Sequence, residues 1–139
     1  MGLEFSHNIQ FLRRAVGLLE DGRFLSQAEF AEKIGIDRRT VINWESGISS
    51  PSPRHKMRIM SLIKKAFDVD IHESVLMEKA LEKVLGHMSV FLNPEICKGF
   101  TPQQRQMMNR IFFRIQNLSA ESLRQILDVL DNQLKQTGN

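Results

Sequence analysis

Arg38 and Arg39 stand side by side in IGIDRRTVINWESG, and Asn43 follows about one helical turn later. Arginine carries a permanent positive charge and five N–H donors in a flat fork that suits anionic oxygens. Asparagine adds a donor and an acceptor on one short amide. These are groups that grip a partner; none of them makes or breaks bonds. Charge placement agrees. From Asp37 to Lys65 seven basic residues face two acidic ones, whereas from Asp70 onward eight bases meet eight acids. A basic front joined to a neutral back suggests a polyanion-facing module carrying a second region. Nothing supports catalysis. Cys97 lacks the flanking pattern of a nucleophile and reads as a partly buried structural thiol. The four histidines are scattered with no i,i+4 pair, so neither a metal nor another cofactor is expected. No glycine-rich phosphate loop, G-x-S-x-G or HExxH occurs.

The elements that must position the two arginines are helical. Ser26 and Glu29 form an S-x-x-E capping box, which predicts a helix from there to about Ile34. Gly35 is its natural stop, because glycine accepts a positive φ without strain. Asp37 is a good N-cap for the next helix, which buries Val41 and Trp44 and ends at Gly47. Two helices of about eight residues joined by a short glycine turn make a helix-turn-helix. Ala31 is small where the second helix must approach, and Val41 is apolar where it must pack back. With Val41 and Trp44 inward, Arg38, Arg39 and Asn43 point outward. Before this pair, Asn8 to Leu19 has apolar residues at helical spacing. After it, SGISSPSP is a loop, and Pro53 opens a segment through Met57, Met60, Ile63 and Phe67.

These residues carry a resemblance. LSQAEFAEKIGIDRRTVINWESG (25–47), the trailing PSP and LIKKAFDVDI (62–71) resemble the lambda-repressor/Cro-type helix-turn-helix family, also called the XRE family. The resemblance implies an all-α fold whose N-terminal five-helix domain binds double-stranded DNA. Only four helical segments are legible in residues 8–71, so Pro53 to Phe67 is expected to break in two. It implies base reading by Arg38 and Arg39, which can each bond O6 and N7 of guanine, and by Asn43, which suits the N6/N7 edge of adenine. Gln27 is implied to touch a phosphate and brace a recognition residue. Thr40 is implied to touch a phosphate or a thymine methyl, and Ser46, Gly47, Ser49, Ser50, Arg54 and Lys56 to hold the DNA backbone, which sets register without carrying sequence information. The stretch AVGLLEDGRF is several residues longer than the family's usual join, so no role passes to Arg13 or Arg14. Glu45 is expected to pair with a nearby arginine.

Residues 1–71 are thus expected to form the DNA-binding domain and residues 72–139 a helical dimerisation or effector region. In the latter, Glu73 to Phe91 reads as one helix. Thr101-Pro102 opens another, with an apolar stripe at Met107, Met108, Phe112 and Phe113. Ser119 caps a last helix striped at Leu123, Ile126, Leu127, Leu130 and Leu134, with near-heptad spacing over barely two heptads. Three amphipathic helices without site chemistry point to self-association. The leading expectation is a homodimeric transcriptional repressor reading a palindromic operator. The alternative is an autoregulatory antitoxin or interaction module whose tail binds a protein partner. One cysteine, no signal-peptide pattern and no apolar run near the ~20 residues of a membrane span lead to a cytoplasmic expectation without a membrane partner.

Overall fold

In the first helix, Phe5, Ile9, Leu12, Val16 and Leu19 recur every three or four residues, and all five are buried. The computed structural model describes residues 3–85, 95, 98–115 and 118–137. Among them are eight helices and no strand: α1 (Leu3–Asp21), α2 (Gln27–Ile34), α3 (Arg38–Glu45), α4 (Pro53–Phe67), α5 (Glu73–Glu78), α6 (Leu81–Val84), α7 (Pro102–Ile115) and α8 (Ala120–Thr137). α1 therefore begins five residues ahead of the expected start. Cys97 and His87 lie outside the described residues, as do the side chains of Phe112 and Phe113.

The α2–α3 unit forms as its residues require. Ser26 Oγ accepts from the Glu29 amide at 3.1 Å, and the Glu29 carboxylate accepts from the Ser26 amide at 2.9 Å. The Arg23 guanidinium, then that capping amide, pushes the Glu29 carboxyl down to about 2. Gly35 closes α2 at φ 82°, its N–H donating to the Ala31 carbonyl at 2.8 Å. Asp37 takes the N-cap position of α3 with extended backbone, but its side chain makes no capping bond. That expectation is corrected.

α4 is one unbroken helix, so the expected split between Pro53 and Phe67 does not occur. The segment holds no glycine or proline after its first residue, and Ile59, Ile63, Ala66 and Phe67 form a single buried stripe. It stops where Asp68 turns left-handed at φ 58°.

The helix expected from Glu73 to Phe91 is instead interrupted at Lys79 and Ala80, both extended. The cause lies in α1. Buried Asn8 donates to the carbonyls of Leu76 (2.7 Å) and Lys79 (2.8 Å) and accepts from the Leu81 amide (2.9 Å). One side chain thereby closes α5 and opens α6, supplying partners that a continuous helix would have found internally. The core passes without a break through residue 71 to Leu76, Leu81 and Leu85.

α7 starts with a Thr101/Gln104 capping box, the Gln104 amide donating to Thr101 Oγ1 at 3.1 Å and Gln104 accepting from the Thr101 amide at 2.9 Å. Its buried Arg105 donates to the carbonyls of Leu19 (3.1 Å), Glu20 (3.2 Å) and Phe100. A cation is thus seated on the negative end of α1, where it is stabilising. Asp68 adds a second tie, accepting from Arg114 at 3.3 Å, and the cations Arg114 and Arg110 hold its carboxyl below the usual range.

Gly17 sits inside α1 where the chain returns after the turn. A Cβ there would lie 2.8 Å from the Leu25 nitrogen and closer still to the Arg23 carbonyl oxygen. Helix propensity alone favours alanine over glycine by about 1 kcal/mol. Backbone cannot yield as a side-chain tip can, so Gly17→Ala should instead lower stability by about 1–3 kcal/mol. Urea denaturation reads the sign directly; a stabilised variant would mean that the return segment moves aside freely.

Candidate nucleic-acid interface

α3 offers two faces. Val41 and Trp44 are inside, with the Trp44 ring edge-on to Phe5 (centroids 5.7 Å apart) and to His55 (5.5 Å). Arg38 and Arg39 are exposed, while Thr40 and Asn43 are half-buried on the same short helix. Among the described residues no hydrogen bond or ion pair engages the Arg38, Arg39 or Arg54 guanidinium or the Asn43 amide. Most other basic side chains of this half are occupied. Arg13 pairs with Glu45, Arg23 with Glu29, Lys33 with Glu20, and Lys64 with Asp68 and Asp70. Arg58 donates to the Gly35 carbonyl at 2.8 Å and so braces the turn. The cations left over in this half, among the described residues, are Arg38 and Arg39 at the start of α3, Arg54 at the start of α4, Lys65 in the last turn of α4, and Arg14 on α1, which lies over the Phe24 ring. Two positive charges at a helix N-terminus are unfavourable to the helix itself, so they are not there for stability.

The exposed end of α3 is aimed by its other end. A polar stripe on α1, Ser6, Gln10 and Arg13 at i, i+4 and i+7, grips the last turn of α3. Ser6 Oγ donates to the Trp44 carbonyl (2.8 Å) and Gln10 to the Glu45 carbonyl (3.2 Å). Arg13 binds the Glu45 carboxylate through two nitrogens at 2.8 and 3.0 Å and reaches the Leu25 carbonyl at 2.9 Å. Gln27 adds a bond to the same carboxylate at 3.2 Å. The carboxylate is only 7% exposed. Glu45 therefore ties α1, α2 and α3 together, and its arginine partner lies 32 residues away rather than nearby.

Gln27 consequently points at the Glu45 carboxylate at the far end of α3. The Ser46 hydroxyl donates back to the Ile42 carbonyl at 2.8 Å, and the amides of Gly47, Ile48 and Ser49 turn inward onto Trp44 and Asn43 carbonyls. Ser49 and Ser50 remain exposed. Lys56 pairs with Glu73, the first residue of α5, at 2.6 Å. Sequence reasoning missed the stripe Ser6, Gln10, Arg13. Its signal was a carboxylate, Glu45, in the last turn of a helix, where the helix's own carbonyls make an unpaired anion unfavourable.

A protein-family model described as "Helix-turn-helix" matches residues 25–73, which span α2 to the start of α5. This chain carries an XRE-type helix-turn-helix domain. Such domains bind DNA and regulate transcription, and this protein is a DNA-binding transcriptional regulator. The matched segment contains the whole exposed arginine face. Comparison with curated proteins and with solved structures returns no match. No helix of the described residues is long and apolar enough to cross a membrane, and no group of three or more histidine, cysteine or acidic side chains among them is placed to hold a metal ion.

Proposed function

We propose that this XRE-type protein is a homodimeric repressor that reads a palindromic operator with α3. The observation that carries the reading is the pair Arg38 and Arg39, exposed and unengaged at the positive end of a helix whose opposite end is clamped in place. In this reading their forks bond guanine edges, and Asn43, one turn further on, meets an adenine. Gln27 acts through Glu45, keeping α3 rigid. Thr40, Ser49, Ser50 and Arg54 contact the DNA backbone; Ser46 and Gly47 join them only by giving up their bonds to the Ile42 and Trp44 carbonyls, and Lys56 only by leaving Glu73. One such module makes few contacts. Two related by a two-fold axis read half-sites about one helical turn apart, or multiples of it. Support for a dimer comes from α8, whose apolar side chains Leu127, Val129, Leu130 and Leu134 are all more than half exposed. A dimer seated across a promoter blocks transcription by occupying it.

Selection of sites from a randomised duplex pool tests this. Anisotropy titrations then compare the winner with scrambled DNA over a salt series. The expected winner is two-fold symmetric and stays preferred at ~150 mM salt, where counterion release alone supplies little affinity. Uniform affinity that collapses with salt would sink operator reading and turn attention to a protein partner on the tail.

A further inference from the structure

α8 carries Leu123, Leu127, Leu130 and Leu134 at alternating spacings of four and three, with exposures of 37, 55, 54 and 66%. Its 18 residues span about 27 Å. Taking Leu127 and Leu134 as a positions and Leu123 and Leu130 as d positions, the e positions flanking the seam are Arg124 and Asp131. Both are exposed, and among the described residues neither enters an ion pair. The g positions are Ile126 and Gln133, which carry no charge.

We infer that α8 pairs with α8 of a second copy, antiparallel, with Leu123 of each copy against Leu134 of the other and Leu127 against Leu130. The inference rests on the dimer reading above and says how the two copies meet. In this register all four seam layers are leucine on leucine. The e positions face each other, so Arg124 of each copy meets Asp131 of the other, giving two symmetric ion pairs. Sliding the helices by one heptad in either direction sets Arg124 against Arg124 or Asp131 against Asp131 across the axis, and leaves leucines without leucine partners. Parallel pairing keeps the leucine layers but sets e against g, so Asp131 faces Ile126 and neither charge finds its opposite. The antiparallel arrangement also opposes the two helix dipoles. Charge thus selects one arrangement among those that bury the same leucines.

Sedimentation equilibrium of the full chain tests it. Arg124→Asp alone, or Asp131→Arg alone, turns both pairs repulsive and should raise the dimer dissociation constant about tenfold, a size expected for two rim pairs reversed in sign. The double variant, and an equimolar mixture of the two single variants, should return to the parent value. Both positions are exposed, and the helical circular dichroism of each variant checks that folding is unchanged. In a Cys97→Ser background, mixing Leu123→Cys chains with Leu134→Cys chains should give the mixed disulfide in preference to either symmetric one. Single reversals without effect, while Leu130→Asp dissociates the dimer, would overturn the antiparallel pairing and leave the dimer through α8 standing. If Leu130→Asp has no effect either, the copies meet elsewhere and α8 pairing is wrong. A parent chain that sediments as a monomer at micromolar concentration would remove the dimer reading itself.

Discussion

Asn8→Leu should cost about 3–5 kcal/mol of folding stability, since each buried polar group deprived of its partner costs about 1–3 kcal/mol. Asn8 is 2% exposed, and its amide serves two carbonyls and one N–H on the α5–α6 segment. Leucine fills a similar volume and serves none of them. The Lys79 carbonyl lies at the edge of the core, where water recovers part of its loss, so the three penalties do not add in full. For a domain of this size each kcal/mol lowers the melting temperature by about 2–4 °C, so a fall near 10 °C is expected. Thermal unfolding followed at 222 nm reads it. Asn8→Asp keeps an acceptor for the Leu81 amide while losing both donated bonds and bringing a charge toward two carbonyls, so it should rescue little. A loss below about 1 kcal/mol for Asn8→Leu would mean that the α5–α6 break is held by the apolar contacts of Leu76 and Leu81 instead.

Arg39→Ala should weaken operator binding by about 1–3 kcal/mol, or roughly 5- to 150-fold, and relax the preference at one base pair. The same change should leave the fold slightly more stable, because it removes a cation from the positive end of α3, an effect of about 0.3–1 kcal/mol. Opposite signs for binding and stability are what separate a recognition residue from a structural one. Arg54→Ala supplies the contrast: an arginine on a phosphate should weaken all sequences alike and flatten the salt dependence by about one counterion. Titrations of the selected operator and its single-base variants make the comparison. If Arg39→Ala lowers all affinities equally, Arg39 is itself a phosphate contact.

The aiming of those arginines depends on residues outside the motif. Ser6, Gln10 and Arg13 hold the carbonyl end of α3, yet they stand 38, 35 and 32 residues before their partners in the chain. The spacing i, i+4, i+7 shows that they share a face of α1, but spacing within one helix says nothing about what that face meets. Arg105 is a similar case, since its position in α7 gives no hint that it closes the C-terminal end of α1.

Local chemistry decided what the sequence by itself determined. The Ser26/Glu29 box, the left-handed Gly35, the inward Val41 and Trp44 and the outward Arg38 and Arg39 depend on neighbours within a few residues, and periodicity and capping rules read them directly. Thr101 and Pro102 at the head of α7 were legible for the same reason, whereas the return bond from Gln104 came from the structure. Tertiary structure alone decided the rest. The continuity of α4 follows from one stripe of apolar residues finding a single core to face. The break between α5 and α6 follows from an asparagine some 70 residues away satisfying their ends. Glu45 becomes the tie between three helices because its role depends on which distant donors the fold brings within about 3 Å. Sequence spacing ranks the local partners of a polar group; only the folded chain brings the remote ones close enough to compete for it.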